Sequence, residues 1–185
     1  SSSPGTELSG GVLPAILTAA EGPYRVTADA TIPAGSAVTI EPGTTLFFSP
    51  DVRLAVYGRL LAEGTPQRPI RFTRVPGQGN WNGVQFLGTT EDNRITHAVL
   101  EYGASDDAMV VLTDANLLLE GVTLGNAGMP RIRSLDSSLI VRNSTFKGIS
   151  QSSGTASQYG HIVGEGIRPG GQFIIENNLF EAVGG

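Results

Sequence analysis

Asp114 and Asp136 each lie three residues before a leucine that opens a short apolar run, Leu117 and Leu139. Two carboxylates brought to one corner could share a calcium ion, or one could be driven to hold its proton. The competing role is that of a turn former whose carboxylate caps its own backbone, and it is the preferred one. Calcium is thus the one cofactor left open. The other acidic candidates are Glu91 with Asp92, and Asp106 with Asp107 in the loop-like SDDA segment. Trp81 and Asn82, in GQGNWNG, could stack on a sugar ring and bond its hydroxyls; the competing role, and the preferred one, is an indole covering the flank of the fold. Tyr159 and His161 flank the end of the polar stretch SQSSGTASQYGH (150–161) and form a second candidate ligand surface. No G-x-S-x-G, P-loop or H-E-x-x-H pattern is present, and the chain has no cysteine, so no catalytic residue is assigned.

The elements that hold these residues are short and extended. The 185 residues include 25 glycines and 11 prolines, so the chain turns often. Val, Ile, Thr and Leu dominate the apolar runs, which favours strands over helices. The net charge is -5, and the arginines are scattered rather than gathered in a stripe, which weighs against nucleic acid as a partner. No apolar run approaches the roughly 20 residues of a membrane-spanning helix, so membrane insertion is not expected. Lys147 is the only lysine among twelve basic residues. That scarcity, with abundant Gly, Ser and Thr, suggests a secreted or cell-surface protein whose Ser1 is a processed or trimmed end.

A repeat organises the chain. Phe72, Leu100, Leu124, Phe146 and Phe180 each end a run of apolar residues, with spacings of 28, 24, 22 and 34. The last spacing returns to an ordinary period if residues 150–160 are looped out. Two or three strands per period, without helical periodicity, lead to an all-β, right-handed parallel β-helix of about 22–28 residues per coil. Like residues should then stack in columns: Leu117, Leu139, Phe173; Ile95, Leu119, Val141, Ile175; and outward, Thr96, Glu120, Arg142, Glu176. Alternation places His97, Gly121, Asn143 and Asn177 inward, where His97, Asn143 and Asn177 would form a hydrogen-bonding ladder. It also turns inward the asparagine of the Asn-Ser-Thr glycosylation sequon at 143–145.

Residues 1–22 read as a flexible leader and possible N-terminal cap, and 23–185 as the β-helix, open or truncated at its C-terminus. The pieces IPAGSAVTIEPG (32–43), YGRLLAEGTPQRPIRFT (57–73) and NWNGVQF (80–86) resemble the opening steps of exported bacterial right-handed β-helix proteins of the pectin-lyase-like superfamily. The resemblance implies the fold and an extracellular setting, but transfers no activity. The function expected is a non-catalytic structural or adhesive module, self-associating through its coil ends or binding surface polysaccharide. The alternative is a polysaccharide lyase or glycoside hydrolase with an acidic site on the lateral face.

Overall fold

The computed structural model describes residues 5–103, 107–127, 130–148 and 161–181. Tyr159, Asp106 and most of the polar insert lie outside the described residues. Among those described, the chain forms 22 strands and no helix. The first sheet holds β1 (Thr6–Leu8), β4 (Tyr24–Val26), β7 (Thr45–Phe48), β10 (Ile70–Arg74), β13 (Ala98–Glu101), β16 (Thr123–Gly125), β19 (Thr145–Phe146) and β22 (Leu179–Phe180). The second holds β2 (Gly11–Val12), β5 (Ala30–Ile32), β8 (Leu54–Val56), β11 (Val84–Leu87), β14 (Val110–Thr113), β17 (Ile132–Leu135) and β20 (Ile162–Glu165). The third holds β3 (Ile16–Leu17), β6 (Ala37–Ile40), β9 (Arg59–Glu63), β12 (Arg94–Thr96), β15 (Asn116–Glu120), β18 (Ser138–Arg142) and β21 (Phe173–Glu176). Every third strand joins the same sheet, and all pairings between coils are parallel, as in a β-helix solenoid.

The register follows the apolar columns. Leu46, Phe72, Leu100, Leu124, Phe146 and Phe180 pair in succession along the first sheet. Ala62, Ile95, Leu119, Val141 and Ile175 do the same along the third. A one-residue slip would turn a whole column outward, and each large apolar side chain fully buried contributes about 1.5–3 kcal/mol, so the columns set the register. The pairing resumes at Ile162, opposite Ile132, with the polar insert falling between β19 and β20. Thr6–Leu17, expected as leader and cap, instead supplies β1–β3 of the first coil, with Leu13 and Leu17 buried.

The corners differ from the alternation read in the sequence. His97, Gly121, Asn143 and Asn177 do stack, but all have positive φ (45°, 63°, 51° and 52°), and the two asparagines are exposed. They form no inward amide ladder. A left-handed residue rotates the chain, so two neighbours in succession face outward and the next turns in: Ala98, Val122, Ser144 and Asn178. The inward polar bonds come from these and from other residues the expected ladder omitted. Ser144 Oγ accepts the Val122 N–H (3.1 Å) and donates to the Arg142 carbonyl (2.9 Å). Asn178 accepts from Ser144 N–H and donates to the Val141 carbonyl, both at 2.9 Å. At the corner from second to third sheet, Ser137 Oγ accepts the Ala115 N–H (3.0 Å), and buried Asn93 accepts the Leu60 N–H (2.7 Å).

Two glycines with positive φ separate conformational need from packing need. A Cβ on Gly83 (φ 81°) would run into the Met109 carbonyl, whereas Gly88 (φ 60°) has open space there. Gly88 stacks over Asp114, a left-handed aspartate. Gly83→Ala should therefore cost about 1–3 kcal/mol from strain and more from the displaced carbonyl. Gly88→Asn should stay within about 0.5 kcal/mol of wild type. Urea unfolding of both variants tests this, and equal losses would contradict the packing argument.

Candidate functional site

Trp81 is not a sugar platform. It is completely buried, stacks on Phe48 at 4.3 Å between ring centroids, and donates its indole N–H to the Glu101 carbonyl at 2.8 Å. Both the ring and its polar edge are satisfied inside the fold. Asn82 is likewise occupied in the backbone: its N–H bonds the Val52 carbonyl, and its side-chain amide donates to the Asp51 carbonyl at 3.2 Å. The WN pair thus pins the long connection from β10 to β11, and that connection walls a groove.

The groove lies on the outer face of the first sheet. About 530 Å³ in volume, it runs between Thr45, Phe47, Arg71, Thr73, Pro76 and Tyr102, among others. Two smaller depressions adjoin it, and Phe47 lines all three. Strand alternation explains why: in β7 Leu46 and Phe48 point into the core, leaving Phe47 half-buried on the outer face beside Arg25 and Thr73. Arg71 Nη1 meets Glu101 Oε1 at 2.8 Å. The Arg74 guanidinium lies 4.0 Å from the Tyr102 ring centre and donates to Asn82's near neighbour Asn80, at Oδ1, over 3.1 Å. Tyr102 has a φ of 58° and is held there by its N–H to the Asn126 carbonyl and by the Trp81 N–H on its own carbonyl. An aromatic residue in this conformation is strained, and the surrounding ladder maintains it.

Phe47, Arg74 and Tyr102 were absent from the sequence-derived candidates. The alternation in TLFF does carry the signal for Phe47. Nothing local to Tyr102 shows that Arg74 would cover its ring.

The acidic candidates disperse. Asp114 and Asp136 stack at one corner as expected, through the pairing of Thr113 with Leu135. Both are left-handed turn residues, φ 47° and 45°. Asp114 lies 3.8 Å from Arg168 Nη2, and the Asp136 carboxylate sits over Gly166 of the next coil, where no third carboxylate exists. Among the described residues no group of three or more His, Cys, Asp or Glu side chains could hold a metal. Asp107 pairs with Arg133. Asp92 bonds Arg94, chiefly through a hydrogen bond of 2.6 Å that holds its carboxyl below the usual range. In the outward column Arg142 faces Glu120, with Nη2 donating to Oε2 at 3.2 Å. These are exposed pairs, each worth at most about 1 kcal/mol. His97 is half-buried, its ring lying over Gly121 rather than inside the coil.

His161 sits apart from the groove, in the last described coils. Its ring lies edge-on to Phe146 (5.5 Å) and tilted to Phe180 (5.3 Å), and neither ring nitrogen has a hydrogen-bond partner. Burial, and secondarily the charge of Arg131, pulls its pKa below the ordinary value. The half-buried imidazole lines a small open depression with Ile162, Phe173, Ile175 and the exposed Phe180, away from the groove on the first sheet.

Two measurements follow from these placements. The sole tryptophan should emit at blue-shifted wavelength and resist acrylamide quenching, and Trp81→Ala should cost about 3–5 kcal/mol; red-shifted, quenchable emission would place the indole outside. His161 has a depressed folded-state pKa, so the unfolded chain takes up the proton first as pH falls below about 6.5. Its stabilising contribution is complete above that pH and is lost as pH falls through the folded pKa. The slope of stability against pH in this window should be shallower in His161→Gln; identical slopes would rule this out.

No family model matches the chain, and no solved structure matches it. A stretch of 72 residues, 38% of the chain, is 44% identical to Protein bark beetle of Drosophila melanogaster. That match takes in 2% of the fly protein's own length, so the chain is similar to one small part of a far larger protein.

Proposed function

We propose that this chain is a non-catalytic, extracellular binding module that holds extended glycans along the outer face of its first sheet. In this reading the solenoid is right-handed, has about 22–28 residues per coil and belongs with the pectin-lyase-like superfamily. The observation that carries the reading is Phe47, an outward aromatic shared by three contiguous depressions. A half-exposed ring offers a stacking surface for a pyranose, and the neighbouring Arg25, Arg71, Thr45 and Arg74 offer donors to its hydroxyl, ring and acidic oxygens. The larger groove has one carboxylate in its lining, Glu101, and Arg71 already neutralises it. Glycoside hydrolysis ordinarily uses two carboxyl groups, roughly 5–9.5 Å apart, so the lining fits retention of a polymer better than its cleavage.

A second reading is end-to-end association of copies. It draws on the exposed Ile175, Leu179 and Phe180 of the last described coil and the exposed Val12 and Ile16 of the first. The two readings use different surfaces, which makes them separable.

The test is affinity electrophoresis through gels containing neutral or acidic polysaccharides, with light scattering on the same samples. Phe47→Ala should lose at least about tenfold in retention while unfolding within about 1 kcal/mol of wild type, because its ring is half outside the core. Unchanged retention would remove the groove reading. Concentration-dependent assembly abolished by Phe180→Ser would favour the end-to-end reading instead, and release of shortened oligosaccharides would favour the lyase or hydrolase alternative.

A further inference from the structure

Asn143, Ser144 and Thr145 form a glycosylation sequon, and the structure turns its asparagine out. Asn143 is exposed at the corner from the third to the first sheet, with φ 51°. We propose that Asn143 is an N-glycan acceptor, modified during export before its coil closes. This rests on the extracellular reading above, but not on the groove.

Three observations support the assignment. The corner asks only for a left-handed backbone: the residues stacked on either side are Gly121 and Asn177, and a glycine serves as well as an amide. Among the described residues, no hydrogen bond holds the Asn143 side-chain amide, so a substituent there displaces nothing. The rest of the sequon is locked once the coil has formed. Ser144 is buried and bonded to Val122 and Arg142, and Thr145 lies in β19 with a strand on each side. A transferase must take the whole Asn-x-Thr segment into its own site, which the buried Ser144 and the two-sided pairing of Thr145 prevent, so transfer precedes closure, and the finished fold leaves the sugar in solvent. The glycan would stand one coil from Leu179 and Phe180 and would screen those exposed apolar side chains.

The chemistry is a group transfer. The Asn143 side-chain nitrogen forms a bond to the anomeric carbon of a lipid diphosphate-linked oligosaccharide. The bond from that carbon to the diphosphate oxygen breaks, and the diphosphate leaves with the electron pair. The amide nitrogen gives up one proton to a base of the transferase. Nothing is oxidised or reduced.

The experiment is expression of the whole chain behind a secretion signal in eukaryotic cells, with intact-mass measurement of medium and cell lysate. A mass step removed by peptide N-glycosidase, leaving aspartate at 143, is expected. It should vanish in Asn143→Asp and in Thr145→Val and persist in Thr145→Ser. Asn143→Asp should fold, since Asp114 and Asp136 occupy the same backbone conformation. Glycosylated protein confined to the lysate would support the acceptor while counting against export of the folded module. Unmodified wild type in both fractions, or a mass step that survives Asn143→Asp, would overturn the inference.

Discussion

In a parallel ladder each strand is bonded to the coil before it and the coil after it, so a corner can turn the chain only without pulling either neighbour out of register. Left-handed backbone at single residues meets that demand. It reverses the path within one residue and still lets the corner N–H reach the preceding or following coil, as when the Asn143 N–H bonds the Glu176 carbonyl and the Asp114 N–H bonds the Leu135 carbonyl. Glycine adopts this conformation freely, and Asn and Asp tolerate it best among the other residues. The glycines, asparagines and aspartates that stand at such corners are therefore a direct consequence of the stacking. It also determines which side chains remain for function, since a left-handed residue directs its side chain outward and spends the next residue on the core.

The same ladder makes the outer faces stiff. Phe47, Arg71 and Glu101 sit on strands bonded on both sides, so their spacing is set by the backbone and not by the side chains' own contacts. The one irregular wall, the connection around Pro76 and Gly77, gains its position from Trp81. Stacking on Phe48 buries the indole, and the bond to the Glu101 carbonyl ties the connection to the strand carrying the groove's ion pair. A residue that chemistry would nominate as a ligand contact thus acts as the anchor of the surface next to it.

Charge contributes differently. Arg59, Arg71, Arg94, Arg133, Arg142 and Arg168 lie in pairs with Glu or Asp, mostly exposed, and these pairs add little stability. Arg131 differs in its burial. It is fully buried and caps the carbonyls of Lys147 and Gly148, and its burial lowers its own pKa. Its nearness to His161 adds to the preference for a neutral imidazole there. The last coils therefore hold a buried cation and an unbonded histidine ring against phenylalanines, while the buried polar groups of the first coils, Thr44 and the Tyr24 hydroxyl, are uncharged and hydrogen-bonded.

The sequence by itself determined the all-β repeat and the apolar columns, and left open whether each repeat held two strands or three. A column such as Leu100, Leu124, Phe146 repeats at a spacing the chain cannot satisfy in any other stack, and hydrophobic burial penalises a slip at every level. Alternation likewise orients residues inside a strand, and it carried the Glu120–Arg142 neighbours correctly. It failed at Asn143 and Asn177, because a single positive φ shifts the phase of alternation and that angle is chosen by the coil's need to close. It failed at residues 6–17, where strands of two or three residues are too short to show a pattern and exist only because the second coil offers them an edge. For Trp81 the sequence offered a ring covering the flank of the fold but could not name the residues that enclose it. Phe48 lies 33 residues before the indole in the chain and Glu101 lies 20 after it. Only the stacked structure brings these residues together, since burial of a loop side chain is decided by whichever distant coils close around it.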